Sequence, residues 1–146
     1  MDRVELVSWW DEAWKTGLWA AAWGKAVAGL TPKQAAWSPG PGRKSIWQQV
    51  NHVVFWRTMA LRRLRGGQGP SDLEMKRGNW AGPTKVTPAA WRATVKRFAD
   101  SQKKVRAAMA NTKSPLDRLR YLLPHDNYDV GQIMLLRALQ GLEPLE

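Results

Sequence analysis

The stretch Ser45-Ile46-Trp47-Gln48-Gln49-Val50-Asn51-His52-Val53-Val54-Phe55-Trp56-Arg57 sets the architecture. Ser45 is followed three residues later by Gln48, the pattern in which two side chains satisfy each other's backbone donors at a helix N-terminus. The helix that opens here is expected to run to about Arg65 and stop at Gly66-Gly67. Ile46, Val50, Val53, Leu61 and Leu64 share one face, with Trp47 and Val54 at its edge. Gln48, His52, Phe55, Trp56 and Met59 share another. Both faces carry large apolar groups, so His52 is expected to be at least partly buried. A lone histidine in such a place is more often a hydrogen-bonded core residue than a ligand.

On the N-terminal side, Val4 to about Leu30 reads as one helix, free of proline and rich in Ala, Leu and Trp. It is apolar nearly all round, which predicts burial against a second subunit as well as its own core. Thr31-Pro32-Lys33-Gln34 is a further capping signature, opening a short turn that ends near Trp37. Ser38 to Lys44 is a Pro- and Gly-broken loop. Its end, Gly42-Arg43-Lys44-Ser45, lacks the glycine-to-lysine spacing and preceding strand of a phosphate-binding loop.

On the C-terminal side, Gly66 to Val86 is polar and too long for a simple turn between helices. It is expected to cross over the end or side of the molecule, pinned by Trp80. Thr87-Pro88 starts a third helix, with Trp91, Val95, Phe98, Val105 and Met109 on its apolar stripe. Arg92, Lys96, Lys103 and Lys104 form its basic, solvated face. The last helical region begins at Ser114-Pro115-Leu116-Asp117 and meets a second proline at Pro124. A restart there would put His125 in a first helical turn. Gly141 caps the end after Gln140. With no sustained period-two alternation, the expected class is all-α: a single domain, 1–146, built as a four-helix bundle with a long crossover between helices two and three.

The totals narrow the functional classes. Lys and Arg number 23 against 12 Asp and Glu, a formal net charge of +11 that favours anionic partners. No nucleic-acid recognition motif accompanies it, so nucleic acid is not the expected partner. There is no cysteine, which removes disulfides, thiolate metal sites and cysteine nucleophiles. No apolar run has the length of a membrane span and the first residues lack a signal pattern, so a cytoplasmic protein is expected. Ten tryptophans are expected to serve core and subunit interface.

The chemistry concentrates in His125-Asp126-Asn127-Tyr128-Asp129-Val130-Gly131-Gln132-Ile133, which holds one of only two histidines. His125 and Asp129 are four apart and stand on one helical face. With His52 from the second helix they would give two imidazoles and a carboxylate to one ion, leaving positions open for water or substrate. The alternative is an ordinary first turn, with Asp129 capping or pairing with an arginine.

The two blocks together resemble the DinB-like superfamily of metal-binding four-helix bundles. Ser45 to Arg57 looks like its second helix. His125 to Ile133 resembles its fourth-helix signature, approximately His-Asp-x-Tyr-His-x-Gly-Gln-Ile. The loop Trp37-Ser38-Pro39-Gly40 and the end Leu139 to Pro144 also fit. The resemblance implies an up-down-down-up bundle, commonly a homodimer. It also implies a divalent metal (nickel, zinc or iron) at His52, His125 and Asp129, with Tyr128 and Gln132 as supporting or substrate groups. Aspartate stands at 129 where the family's third histidine is usual. The implied activity is that of a metal-dependent enzyme, a thiol-dependent transferase or a hydrolase, acting on a small anionic or thiol substrate. The alternative is a stress-response or interaction protein that has kept the bundle and lost the chemistry.

Overall fold

In the computed structural model, which describes residues 1–145, seven α-helices and one 3-10 turn account for the regular structure, and the described residues contain no strand. The helices are α1 (Arg3–Lys15), α2 (Trp23–Ala26), α3 (Pro32–Ala36), α4 (Ile46–Leu64), α5 (Asp72–Gly78), α6 (Pro88–Ala110) and α7 (Leu122–Leu139), with the 3-10 turn at Leu116–Arg118. The four longest, α1, α4, α6 and α7, pack in a ring: α4 lies against α6 and α7, and α1 against the same two.

Local capping chemistry sets most of the starts. Ser45 accepts from the Gln48 amide while the Gln48 side chain accepts from Ser45, and Thr31 and Gln34 repeat the arrangement at α3. Thr87 caps α6 with Pro88 in its first turn. The same reciprocal cap occurs at Ser71 and Glu74, so the crossover contains the helix α5, which its polar composition obscured.

The continuous first helix expected from Val4 to Leu30 is not formed. α1 ends at Lys15, and the chain turns at Gly17, whose φ is +97°. A β-carbon there would stand 2.3 Å from the Ala20 carbonyl oxygen, so the turn needs glycine. Tertiary bonds hold it: the Asn127 amide on α7 donates to the Leu18 carbonyl at 2.6 Å, and Trp23 Nε1 donates to Asn127 Oδ1 at 3.1 Å. Helix propensity over 16–22 is overridden by these contacts. The last helical region is likewise divided, with the 3-10 turn standing apart from α7. Pro124 sits third in α7, where its missing N–H costs no helical bond.

The tryptophans divide. Trp10, Trp23, Trp47 and Trp91 are buried, in edge or tilted pairs about 5 Å apart (4.9 Å for Trp10–Trp23, 5.0 Å for Trp47–Trp91). Their indoles find partners, Trp10 on the Gln102 carbonyl and Trp47 on the Thr94 hydroxyl. Trp9 and Trp19 are exposed. No described helix is long and apolar enough to cross a membrane.

Candidate metal centre

α4 and α7 carry the site. His52 sits two turns into α4, and His125 closes the first turn of α7, with Asp129 one turn on. The three residues lie together, one candidate ligand atom from each, all within 4.8 Å of one another. His52 Nε2 is 3.2 Å from His125 Nε2 and 3.9 Å from Asp129 Oδ2. Two ligands on one ion with bonds of about 2.1 Å are separated by at most about 4.2 Å, so small side-chain shifts suffice to close the set.

Each imidazole is oriented from behind through Nδ1. On His52, Nδ1 meets two atoms of Asn79: the side-chain oxygen at 2.8 Å and the backbone carbonyl at 3.2 Å. The carbonyl can only accept, so Nδ1 carries the proton. On His125, Nδ1 donates to Asp126 Oδ1 at 2.9 Å. Asp126 is fully buried and its other oxygen takes the Arg57 Nε–H at 2.7 Å. A carboxylate paired with a guanidinium accepts, which puts the His125 proton on Nδ1 too.

The consequence is that both Nε2 lone pairs point at one spot from 3.2 Å apart. Two neutral imidazoles repel in that geometry, and a cation between them, a proton or a metal ion, turns the repulsion into bonding. Asp129 Oδ2 completes the picture: it is buried without a hydrogen-bond partner. That oxygen lies 3.4 Å from His125 Nδ1 and 3.9 Å from His52 Nε2, and a buried carboxylate oxygen with no hydrogen bond beside two imidazoles fits a cation.

The electrostatics follow from burial. Burial raises the Asp129 carboxyl to about 6, opposed by His125 and reinforced by Asp126. Burial lowers His52, and a charge on His125 lowers it further. Burial also pulls His125 down, but the Asp126 bond and the charges of Asp126 and Asp129 more than offset it, leaving His125 raised. The protein thus keeps His52 neutral and lone-pair-available.

Sequence reasoning did not find the groups behind the ligands. Arg57 is fully buried, with its guanidinium 4.7 to 5.4 Å from the rings of Phe98, Trp10 and Trp23. It also donates to the Phe98 carbonyl and the Ser101 hydroxyl. Asp126 follows His125 directly, and adjacent helical residues do not share a face. Its contact with Nδ1 therefore lay outside any i, i+4 rule. Asn79 and Trp80 come from the crossover. Trp80 stacks on His52 at 3.7 Å with an 8° tilt, which is how it pins that segment. Gln48 and Asn51 bond the Trp80 and Ala81 carbonyls. Tyr128 is 68% exposed on α7, and Gln132 lines a groove with Pro39, Pro41 and Gln49.

The sequence profile of the DinB superfamily matches residues 18–138, most of the chain and both helices that carry the candidate ligands. The chain belongs to the DinB superfamily. Comparison with curated proteins finds no match, and neither does comparison with solved structures. The match begins after α1, which packs on α6 and α7.

Proposed function

We propose that this DinB protein is a metal-dependent enzyme holding one divalent ion through His52 Nε2, His125 Nε2 and Asp129, within a single-domain four-helix bundle whose crossover walls the site. The observation that carries the reading is the pair of imidazoles with both Nδ1 protons committed and both Nε2 lone pairs converging beside an unpartnered carboxylate oxygen. The donor set of two imidazoles and a carboxylate suits nickel, zinc or iron. Such an ion would supply Lewis acidity and a bound water of lowered pKa.

The chain's own contributions are distinct from the ion's. Asn79 and Asp126 fix ring orientation and tautomer, and Arg57 holds Asp126 in place. Trp80 excludes water from one side of His52. The reaction class is transfer to a small thiol cosubstrate or hydrolysis, in the cytoplasm, with the net charge of +11 attracting an anionic substrate. A homodimer is the proposed assembly. Tyr128, Leu135 and Leu139 leave an exposed stripe on α7, and Gly131 beside them meets nothing within the chain that would require a glycine.

The test is metal analysis of purified protein. Near-stoichiometric divalent metal, lost in His52→Ala and in His125→Ala, is expected; protein that stays metal-free after supplementation sinks the reading. A second reading, a non-catalytic stress or interaction protein, is favoured only by the aspartate at 129 where the family's histidine is usual. It requires that removing either histidine leave the cellular phenotype unchanged.

A further inference from the structure

A cleft of about 770 Å³ opens beside the metal centre, with His125 in its wall. Two antiparallel segments line it. On α4, Trp56, Ala60 and Arg63 follow His52 at intervals of four, four and three, continuing the face that carries the ligand. Opposite them, Leu122 and then Arg118 recede from His125 toward the 3-10 turn. Contacts fix both ends: His52 meets His125 at 3.2 Å, and Arg118 donates to the Arg63 carbonyl at 3.1 Å. At 1.5 Å per helical residue, the ends are about 16 Å apart.

The two ends differ from the middle. Trp56, Ala60 and Leu122 make the centre apolar. Arg63 and Arg118 stand together at the far end, and neither forms an ion pair among the described residues. Their neighbour Arg62 is different, since Glu74 and the Gln68 and Gly69 carbonyls consume its donors. Arg63 lies against Gly69, where a β-carbon would come within 2.8 Å of Nη2, so the glycine gives this guanidinium its place. Asp117, the one carboxylate lining the cleft, pairs with neither arginine. Two arginines that line the same end of an apolar channel, each with donors outside any ion pair, match an acid group on an apolar body.

We propose that the cleft takes an elongated organic anion, with its acid group held by Arg63 and Arg118 and its body along Trp56, Ala60 and Leu122. The opposite end of the molecule then reaches the His52–His125 pair. Only that last contact rests on the proposed metal centre; the grip of the arginines does not.

The test uses a medium-chain fatty acid, decanoate, with 1-decanol and decylamine as neutral and cationic controls. Each is titrated by calorimetry into metal-loaded and metal-stripped protein, with metal content measured alongside. Decanoate is expected to bind both forms, and more tightly than either control. Arg63→Ala and Arg118→Ala are each expected to weaken it about tenfold without changing metal content, and Arg63→Lys to recover part of the loss. Both arginines are exposed, so the variants should melt like the parent. Decanol binding as well as decanoate would overturn the proposal, as would decanoate binding that needs the metal and ignores both arginines. No decanoate binding at all would do the same. Failure to load metal, with arginine dependence intact in stripped protein, would overturn the metal reading and leave this one standing.

Discussion

The two histidines of the site meet at 3.2 Å, yet they are supported in opposite ways. His125 is held by Asp126, and Asp126 by Arg57, both fully buried and enclosed by Trp10, Trp23 and Phe98. His52 is held by a neutral amide, Asn79, and covered by Trp80, both on the half-exposed crossover. One support belongs to the core and the other to a surface segment. The difference separates stability from the proposed metal binding: altering the His125 side is expected to disturb the fold, whereas altering the His52 side is not.

That contrast can be broken at Arg57. Arg57→Met leaves Asp126 buried without its guanidinium and is expected to cost about 3–5 kcal/mol by urea denaturation. Adding Asp126→Leu should recover part of this, because the uncompensated charge is gone. Asn79→Ala is the matching cut on the other side. It is expected to weaken metal binding about tenfold or more while changing unfolding free energy by less than about 1 kcal/mol. Equal damage to stability from both variants would refute the contrast.

Asp129 gives a pH test between the two sides. Its carboxyl titrates near 6 in the folded chain against an ordinary 3.8. Between those values the folded protein keeps a proton that the unfolded chain has released. The contribution is therefore present below 3.8 and lost as pH rises through 6. Metal-free protein is expected to lose on the order of 1–2 kcal/mol over this window, and Asp129→Asn to flatten the decline. Metal-loaded protein should not show it.

The smallest effect is expected at Glu74, which anchors α5 to Arg62. Hydrogen bonding from Arg62, with help from the Ser71 amide, holds it down to about 2. Its contribution is present above the ordinary 4.5 and lost as pH falls toward 2. Hydrogen-exchange protection factors of the crossover amides should fall in that range before those of the rest of the chain, and Glu74→Gln should remove the difference.

Much of the plan was legible locally. Ser45 and Gln48, Thr31 and Gln34, and Thr87 with Pro88 announced helix starts that the fold uses, because capping is decided within four residues. The i, i+4 relation of His125 and Asp129 put both on one face, and the match to a second helix bearing His52 suggested that the three would meet. The first helix was misjudged because Ala- and Trp-rich composition carries no record of Asn127 reaching back to Leu18. α5 went unseen although Ser71 and Glu74 form a cap of the same kind as Ser45 and Gln48.

The sequence by itself determined the helical class, most helix starts, the three candidate ligands and the family, since these depend on periodicity, capping and a specific pair of blocks. Tertiary structure decided what stands behind the ligands. Arg57 and Asp126 are 69 positions apart, and Asn79 is 27 from His52. Nothing local links such residues; only packing brings them within bonding distance, and with them the tautomers that aim both imidazoles at one point.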